Sequence, residues 1–202
     1  MGDKKIDLET AHESLKQFFD AIMPIPSQVW EACLPAWQLF SAKRRTILTA
    51  AGERERYLYF VLEGIQRIYY LNDQGNKEAT LVFTYPPSLS GIADSLLSQQ
   101  PSRFYLETIT ASTFIRIPQA IYLQQYDQYP ELNTLFRVMI ASTLEGILLR
   151  QAELQTEGAA AKFKALLTRS PHVLNLIPHK YLASYLGIDP TTFSKLLGKV
   201  KL

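Results

Sequence analysis

The chain has 202 residues, 47% of them hydrophobic and 20% charged, which is enough apolar material for one sizeable core and a second, smaller one. A single cysteine, Cys33, excludes an internal disulfide, a four-cysteine cluster and a CxxC redox pair, and three scattered histidines, His12, His172 and His179, do not make a metal site. The net charge of +2 conceals an asymmetry: residues 1–157 carry 14 Lys/Arg against 18 Asp/Glu, a balance of −4, and residues 158–202 carry 7 against 1, a balance of +6. A binder of polyanions is therefore sought at the C-terminal end.

Over residues 6–23, Leu8, Ala11, Leu15, Phe18, Phe19 and Ile22 recur at intervals of three and four, which predicts an amphipathic helix ending before Pro24 and Pro26. Ser27 is the expected cap of a second helix through Val29, Trp30, Cys33 and Leu34. From Trp37 to Pro118 the texture changes to short aromatic and β-branched runs at 38–41, 46–48, 57–62, 65–70, 79–83, 105–109 and 113–117. Turn residues at Gly52, Gly64, Gly75, Pro86-Pro87 and Gly91 separate them, so the reading is a small antiparallel barrel or jelly roll. Glu53 and Glu55, one residue apart in such a turn, are read as solvated rather than catalytic.

A short helix is expected from Pro118 to Tyr126. Beyond Tyr129-Pro130 a long helical pattern runs through Leu132, Leu135, Phe136, Met139, Ile140, Leu144, Ile147, Leu148 and Leu154, at least six turns, until Gly158 breaks it. Its apolar residues cover more than the stripe needed to pack on one roll. A second copy of the same helix in a two-fold dimer, or burial wholly within one chain, would account for the surplus. Helicity resumes at 159–168, with Phe163, Leu166 and Leu167 inward, and stops at Arg169-Ser170-Pro171.

His179 to Leu196 reads as a helix-turn-helix. Ala183 and Gly187 are the small residue and the turn residue that let two short helices cross steeply, and Asp189-Pro190 starts the second of them. Leu182, Leu186, Ile188, Phe193 and Leu196 fall at inward positions, while His179, Lys180, Ser184, Thr191, Thr192, Ser194, Lys195 and Lys199 are left outward. The second helix is then the natural reader of a DNA major groove, and an ordinary helical hairpin packed into a core is the competing reading. No nucleophile–base pair, phosphate-cradling glycine loop or metal spacing supports an enzyme. No apolar run is read as a membrane span and no signal-peptide pattern is seen, so a cytoplasmic chain without a cofactor is expected.

Together these pieces resemble the Crp/Fnr superfamily of bacterial transcription regulators. The most specific stretches are residues 59–70, 73–78, Gln100-Pro101-Ser102-Arg103-Phe104 and 177–188, the last similar to the branch common in Bacteroidetes. The resemblance implies an α+β chain: a β-roll of the cyclic-nucleotide-binding kind with flanking helices over 1–128, a dimerisation helix over 129–157 and a helix-turn-helix DNA-binding domain over 158–202. It implies a homodimer on a pseudo-palindromic DNA operator, with RNA polymerase as a further partner and no membrane.

In relatives that bind cyclic AMP, Gly-Glu-Leu precedes Arg-Ser or Arg-Thr by about eleven residues, the Glu on the ribose and the Arg and hydroxyl on the phosphate. Here Gly91 matches, Ile92 takes the place of the Glu, and Arg103 is followed by Phe104; the adenine-facing hydroxyls fall at Ile147 and Leu148. The expectation is no cyclic-AMP dependence. Gly91 and Arg103 are left as the candidate effector residues, with Arg103 either holding some other small anion or bonding strand carbonyls. Iron–sulfur and haem sensing lack their ligands here.

In the same resemblance Thr191, Thr192 and Lys195 face bases, where relatives often carry Glu and Arg, while His179, Lys180, Ser184, Ser194 and Lys199 face phosphates. Only residues 170–177 stand where relatives place a β-hairpin wing. The competing function is a ligand-sensing or protein-interaction module whose helix-turn-helix no longer binds DNA.

Overall fold

The structure is a computed structural model and describes residues 6–199. The chain divides into two compact units, one up to Ile68 together with Phe83–Met139 and the other comprising Tyr69–Val82 and the chain from Ile140 onward.

The first unit opens with α1 (Leu8–Asp20), capped by the Asp7 carboxylate, which accepts from the Thr10 N–H. Helix α2 (Ser27–Cys33) follows. Ser27 is its first helical residue; Pro26 occupies the cap and makes no side-chain bond there, which corrects the expected role of Ser27. Eight strands then form two antiparallel-type sheets. One has the order β1 (Gln38–Ala42), β8 (Ser112–Pro118), β3 (Tyr57–Glu63), β6 (Ser88–Ser90); the other has β2 (Ile47–Thr49), β7 (Tyr105–Thr108), β4 (Gln66–Leu71), β5 (Glu78–Thr84). The α+β class and the jelly-roll reading are what the structure shows, with β6 and the short helix α3 (Ala93–Ser98) added to the expected elements. Ser-Leu-Ser after two prolines carries no β-branched signal, so β6 was invisible to pattern reading.

The period-two alternation of β3 and β8 sends side chains to two different cores. Leu58, Phe60, Ile115 and Ile117 face outward, onto Ala11, Leu15 and Phe19 of α1, Trp30 and Cys33 of α2, Tyr122 of α4 (Gln119–Gln128) and Leu132, Leu135 and Phe136 at the start of α5 (Pro130–Thr156). Tyr59, Val61 and Phe114 face inward and meet Leu106 and Ile92 inside the roll.

Helix α5 runs 27 residues. Beyond its buried first turns it leaves Leu144, Ile147, Leu148 and Leu149 between 50% and 60% exposed, with Val138 and Ile140 also exposed. It is long and apolar enough, by length and composition, to cross a membrane, with a mean hydropathy of 1.4 over an 18-residue window. That corrects the expectation that no run reaches such a length: Glu145 and the polar residues dilute the pattern to the eye without lowering its average.

In the second unit, α6 (Ala159–Arg169) begins after Gly158, and the one-turn helix α7 (Val173–Leu176) occupies the place where a wing was sought. Then α8 (His179–Leu186) and α9 (Pro190–Leu197) follow.

Candidate nucleic-acid interface

Helices α8 and α9 are joined as the spacing predicts. Gly187 has φ +62°, a left-handed conformation that only a residue without Cβ adopts without cost, and it ends α8 with its N–H on the Ala183 and Ser184 carbonyls. The Ile188 N–H closes the motif on Ala183 O at 3.1 Å. Asp189 caps α9: its carboxylate accepts from the Thr191 N–H at 2.7 Å, and that bond, with the Thr191 hydroxyl, holds the carboxyl below its ordinary range. Pro190 takes the first helical position, where its missing N–H costs nothing.

Leu182, Ala183, Leu186 and Phe193 are fully buried. The Phe193 ring stands edge-on to Phe163 of α6, with centroids 5.2 Å apart, and lies 5.3 Å from the His179 ring. One aromatic side chain thus ties three helices together. Ile188 and Leu196 are half-buried, and Tyr181, which pattern reading left unplaced, is buried with the core residues.

The outward residues do not all stand alike. Thr191, Ser194, Lys195, Lys199, His179 and Lys180 are exposed, and Thr192 is half-buried. The Ser194 hydroxyl donates to the Pro190 carbonyl at 3.0 Å, one turn back along α9. Lys180 lies with its Nζ 4.7 Å from the Tyr181 ring centroid. Ser184 departs from its expected outward position: it is half-buried, its oxygen accepting from the Thr80 N–H of β5 at 2.9 Å while its hydroxyl reaches the Glu78 carbonyl at 3.4 Å. Strand β5 ends its sheet, and an edge strand leaves N–H groups in want of an acceptor. No local pattern could reveal a partner a hundred residues away in sequence.

A charged clamp braces the motif against the end of α5. Arg150 donates to the Tyr185 carbonyl at the C-terminal turn of α8 and pairs with Glu153 at 3.2 Å, its guanidinium 4.2 Å from the Tyr185 ring centroid. Glu153 in turn receives both Arg169 nitrogens of α6, at 2.5 and 2.9 Å. The Arg169 bond, with Arg150 adding to it, holds the Glu153 carboxyl below the usual glutamate range. A folded value below the unfolded one means that this stabilisation is complete above the unfolded pKa and is lost as pH falls through the lowered folded value. Acid melts of the second unit should therefore steepen in that window, and Glu153→Gln should remove that part of the slope; superimposable profiles would contradict the assignment.

The other candidate residues lie in the roll. Gly91 has φ +150°, and a Cβ there would stand 3.5 Å from the Tyr57 carbonyl. Ile92, where cyclic-AMP binders carry a ribose acceptor, is 2% exposed and packs in the roll interior with Tyr59, Val61, Leu106 and Phe114. Arg103 is exposed, and its side chain bonds no strand carbonyl among the described residues. At the position of the ribose acceptor the structure thus holds a buried apolar side chain.

Glu55 differs most from the sequence reading. It is 1% exposed rather than solvated, accepting from the Thr49 hydroxyl at 2.8 Å and from the N–H groups of Arg56, Tyr57 and Ile92 at 3.1, 3.4 and 3.1 Å. Burial pushes its carboxyl above the ordinary range against these four donors. It fastens the start of α3 to the end of β2 and the start of β3, using both carboxylate oxygens within the protein. No group of three or more His, Cys, Asp or Glu side chains that could hold a metal occurs among the described residues.

A roll of two four-stranded sheets, a long helix with a bare apolar face and a helix-turn-helix together make a fold similar to that of solved Crp/Fnr regulators. Residues 39–129 match the family model of the cyclic nucleotide-binding domain. The chain is similar in structure to FixK2 from Bradyrhizobium japonicum, at 17% identity and TM-score 0.70 over 81% of this chain and 83% of that one. It is similar also to the catabolite activator protein of Thermus thermophilus, at 20% identity and TM-score 0.56 over 90% and 89%. A chain described as a transcriptional regulator of the Crp/Fnr family from Eubacterium rectale aligns at 16% identity and TM-score 0.69 over 86% and 82%. No curated protein matches the sequence.

Proposed function

We propose that the protein is a dimeric, sequence-specific DNA-binding transcription regulator whose roll is a sensory domain that does not respond to cyclic AMP. The observation that carries this reading is the α8–α9 motif itself, which turns exposed Thr191 and Lys195 to one side in a segment with a charge balance of +6, with its apolar residues consumed by the core. Residues 158–202 are the DNA-binding domain, 129–157 the dimerisation helix and 1–128 the sensory domain in this proposal. No enzymatic role is assigned, and RNA polymerase is a proposed partner on the same family-level grounds. The likeness of fold to the Thermus thermophilus catabolite activator protein and to the Crp/Fnr-family transcriptional regulator of Eubacterium rectale supports it by analogy.

Thr191, Thr192 and Lys195 face the bases and His179, Lys180, Ser194 and Lys199 the phosphates. Ser194, with its hydroxyl proton already given to Pro190, contributes less than the cations. Ser184 has its hydroxyl engaged with β5 and is withdrawn from the phosphate set. Lysine gives guanine O6 or N7 a point charge without the planar fork of arginine, so its share of specificity is single-bonded. Lys195→Ala is expected to weaken binding to the operator by about 1–3 kcal/mol and to relax preference at one base pair, while Lys199→Ala lowers affinity for all sequences alike. Gel-shift titrations on a randomised-site library check this, and an unaltered preference in Lys195→Ala rejects the assignment.

The competing module without DNA binding is separated by salt. A regulator on nonspecific duplex shows a steep fall of affinity with salt, whereas a flat response would favour the interaction module.

A further inference from the structure

Arg116 is a cation on the inner face of the roll, apart from Gly91, Arg103 and Glu55. It lies on β8 two residues from Phe114, so it shares the inward face, and it is paired across the sheet with Gln38 of β1 and Tyr59 of β3. Each neighbouring strand supplies a ring against it: the guanidinium carbon is 3.8 Å from the Phe40 centroid and 4.0 Å from that of Tyr57. All three side chains are half-buried, so the site retains a way in from water.

Among the described residues no carboxylate lies within ion-pair distance of Arg116. Glu55, the buried acid of this end of the roll, has both oxygens occupied by the four donors described above. The group beside Arg116 is the buried Tyr59 hydroxyl, which accepts from it; burial and the charge of Glu55 push that hydroxyl well above its ordinary range, against the pull of the guanidinium, and the other donors of Arg116 face no acidic partner among the described residues. A half-desolvated arginine with a ring against it on two sides of the strand keeps its donors in the guanidinium plane, and the Phe40 and Tyr57 centroids stand close to its carbon.

We infer that Arg116 is the anchor of an effector site for a small organic carboxylate, held edge-on in the slot between Phe40 and Tyr57. A planar carboxylate continues the plane of the guanidinium and accepts two parallel N–H bonds within the thickness that the two rings leave. A tetrahedral phosphate carries oxygens out of that plane, toward the rings. The site is distinct from the Gly91 and Arg103 positions, where Ile92 has filled the interior and Arg103 points to solvent. This inference deepens the sensory role proposed for the roll; its test reads ligand binding and not DNA binding, so the two can fail separately.

The experiment titrates the full chain with benzoate, succinate and inorganic phosphate, following tyrosine fluorescence and calorimetric heat, for the wild type, Arg116→Lys, Arg116→Gln and Tyr57→Leu, each checked for folding by circular dichroism. Saturable binding of a carboxylate is expected, tighter than that of phosphate. Arg116→Lys, which keeps the charge and loses the fork, is expected to weaken it at least about tenfold, and Arg116→Gln to abolish it. Tyr57→Leu leaves the arginine and removes one wall, weakening binding several-fold, and serves if the Arg116 variants unfold. No saturable binding of either carboxylate, phosphate binding as tight, or affinity unchanged in a folded variant would each overturn the assignment.

Discussion

Leu144→Glu combined with Leu148→Glu is expected to turn a dimer into a monomer while leaving the fold of each chain intact. Both side chains are more than half exposed on α5, one turn apart, beside Ile147 and Leu149, which are equally bare. Because they touch little within the chain, replacing them costs little in folding. In the proposed dimer they lie at the seam, where burying each leucine contributes about 1.5–3 kcal/mol. Losing two, before any penalty for facing carboxylates, weakens association by roughly 10²- to 10⁴-fold.

DNA binding is expected to fall with it. A two-fold dimer places its reading helices about 34 Å apart in successive major grooves, and a monomer has only one half-site to hold. Light scattering at micromolar concentration and fluorescence anisotropy with an operator check the two readouts on one preparation. A dimer that survives both substitutions would place the interface elsewhere. The same bare face satisfies the composition of a membrane span, and flotation with lipid vesicles separates that occupant: a wild-type chain that binds vesicles and loses this with the two glutamates would replace the dimer with a membrane contact.

What could be read in advance followed the range of the forces involved. The helix-turn-helix was legible because its determinants are local: Gly187 needs a positive φ, Asp189 caps within two residues, and Leu182, Leu186 and Phe193 repeat at helical spacing. Strands β1 to β5, β7 and β8 announced themselves by β-branched and aromatic runs, and the helical break at Gly158 by composition alone. Buried polar positions were opaque. Glu55 looks like any turn glutamate until four donors from β2, β3 and the start of α3 converge on it, and Ser184 looks solvated until β5 arrives. Arg116 lies in the strand Phe-Ile-Arg-Ile, where alternation predicts a side but cannot tell that a ring from each neighbour will flank it. The effector site proposed for the roll depends on such a convergence, which is why motif matching at Gly91 and Arg103 reached only the departure from the cyclic-AMP pattern.

Phe193→Ala is expected to abolish DNA binding without touching a base-facing residue. The side chain is fully buried, edge-on to Phe163 and against His179, and so joins α6, α8 and α9. Truncating a buried phenylalanine costs about 3–5 kcal/mol, from lost transfer free energy and the cavity left behind. The C-terminal helices number some forty residues, and at about 0.05–0.15 kcal/mol per residue their own stability is about 2–6 kcal/mol. The loss is therefore comparable to the whole stability of these helices, whereas the roll, with its separate cores around Phe60 and Tyr59, keeps its own. The expected outcome is local unfolding of 159–197, visible as lost hydrogen-exchange protection there with protection retained in β3 and β8. Phe193→Leu, which keeps most of the volume, should retain a folded motif and measurable affinity. If Phe193→Ala still binds the operator within about threefold of wild type, the packing of α9 on α6 and α8 is not what presents Thr191 and Lys195, and the assignment of α9 as the reading helix falls with it.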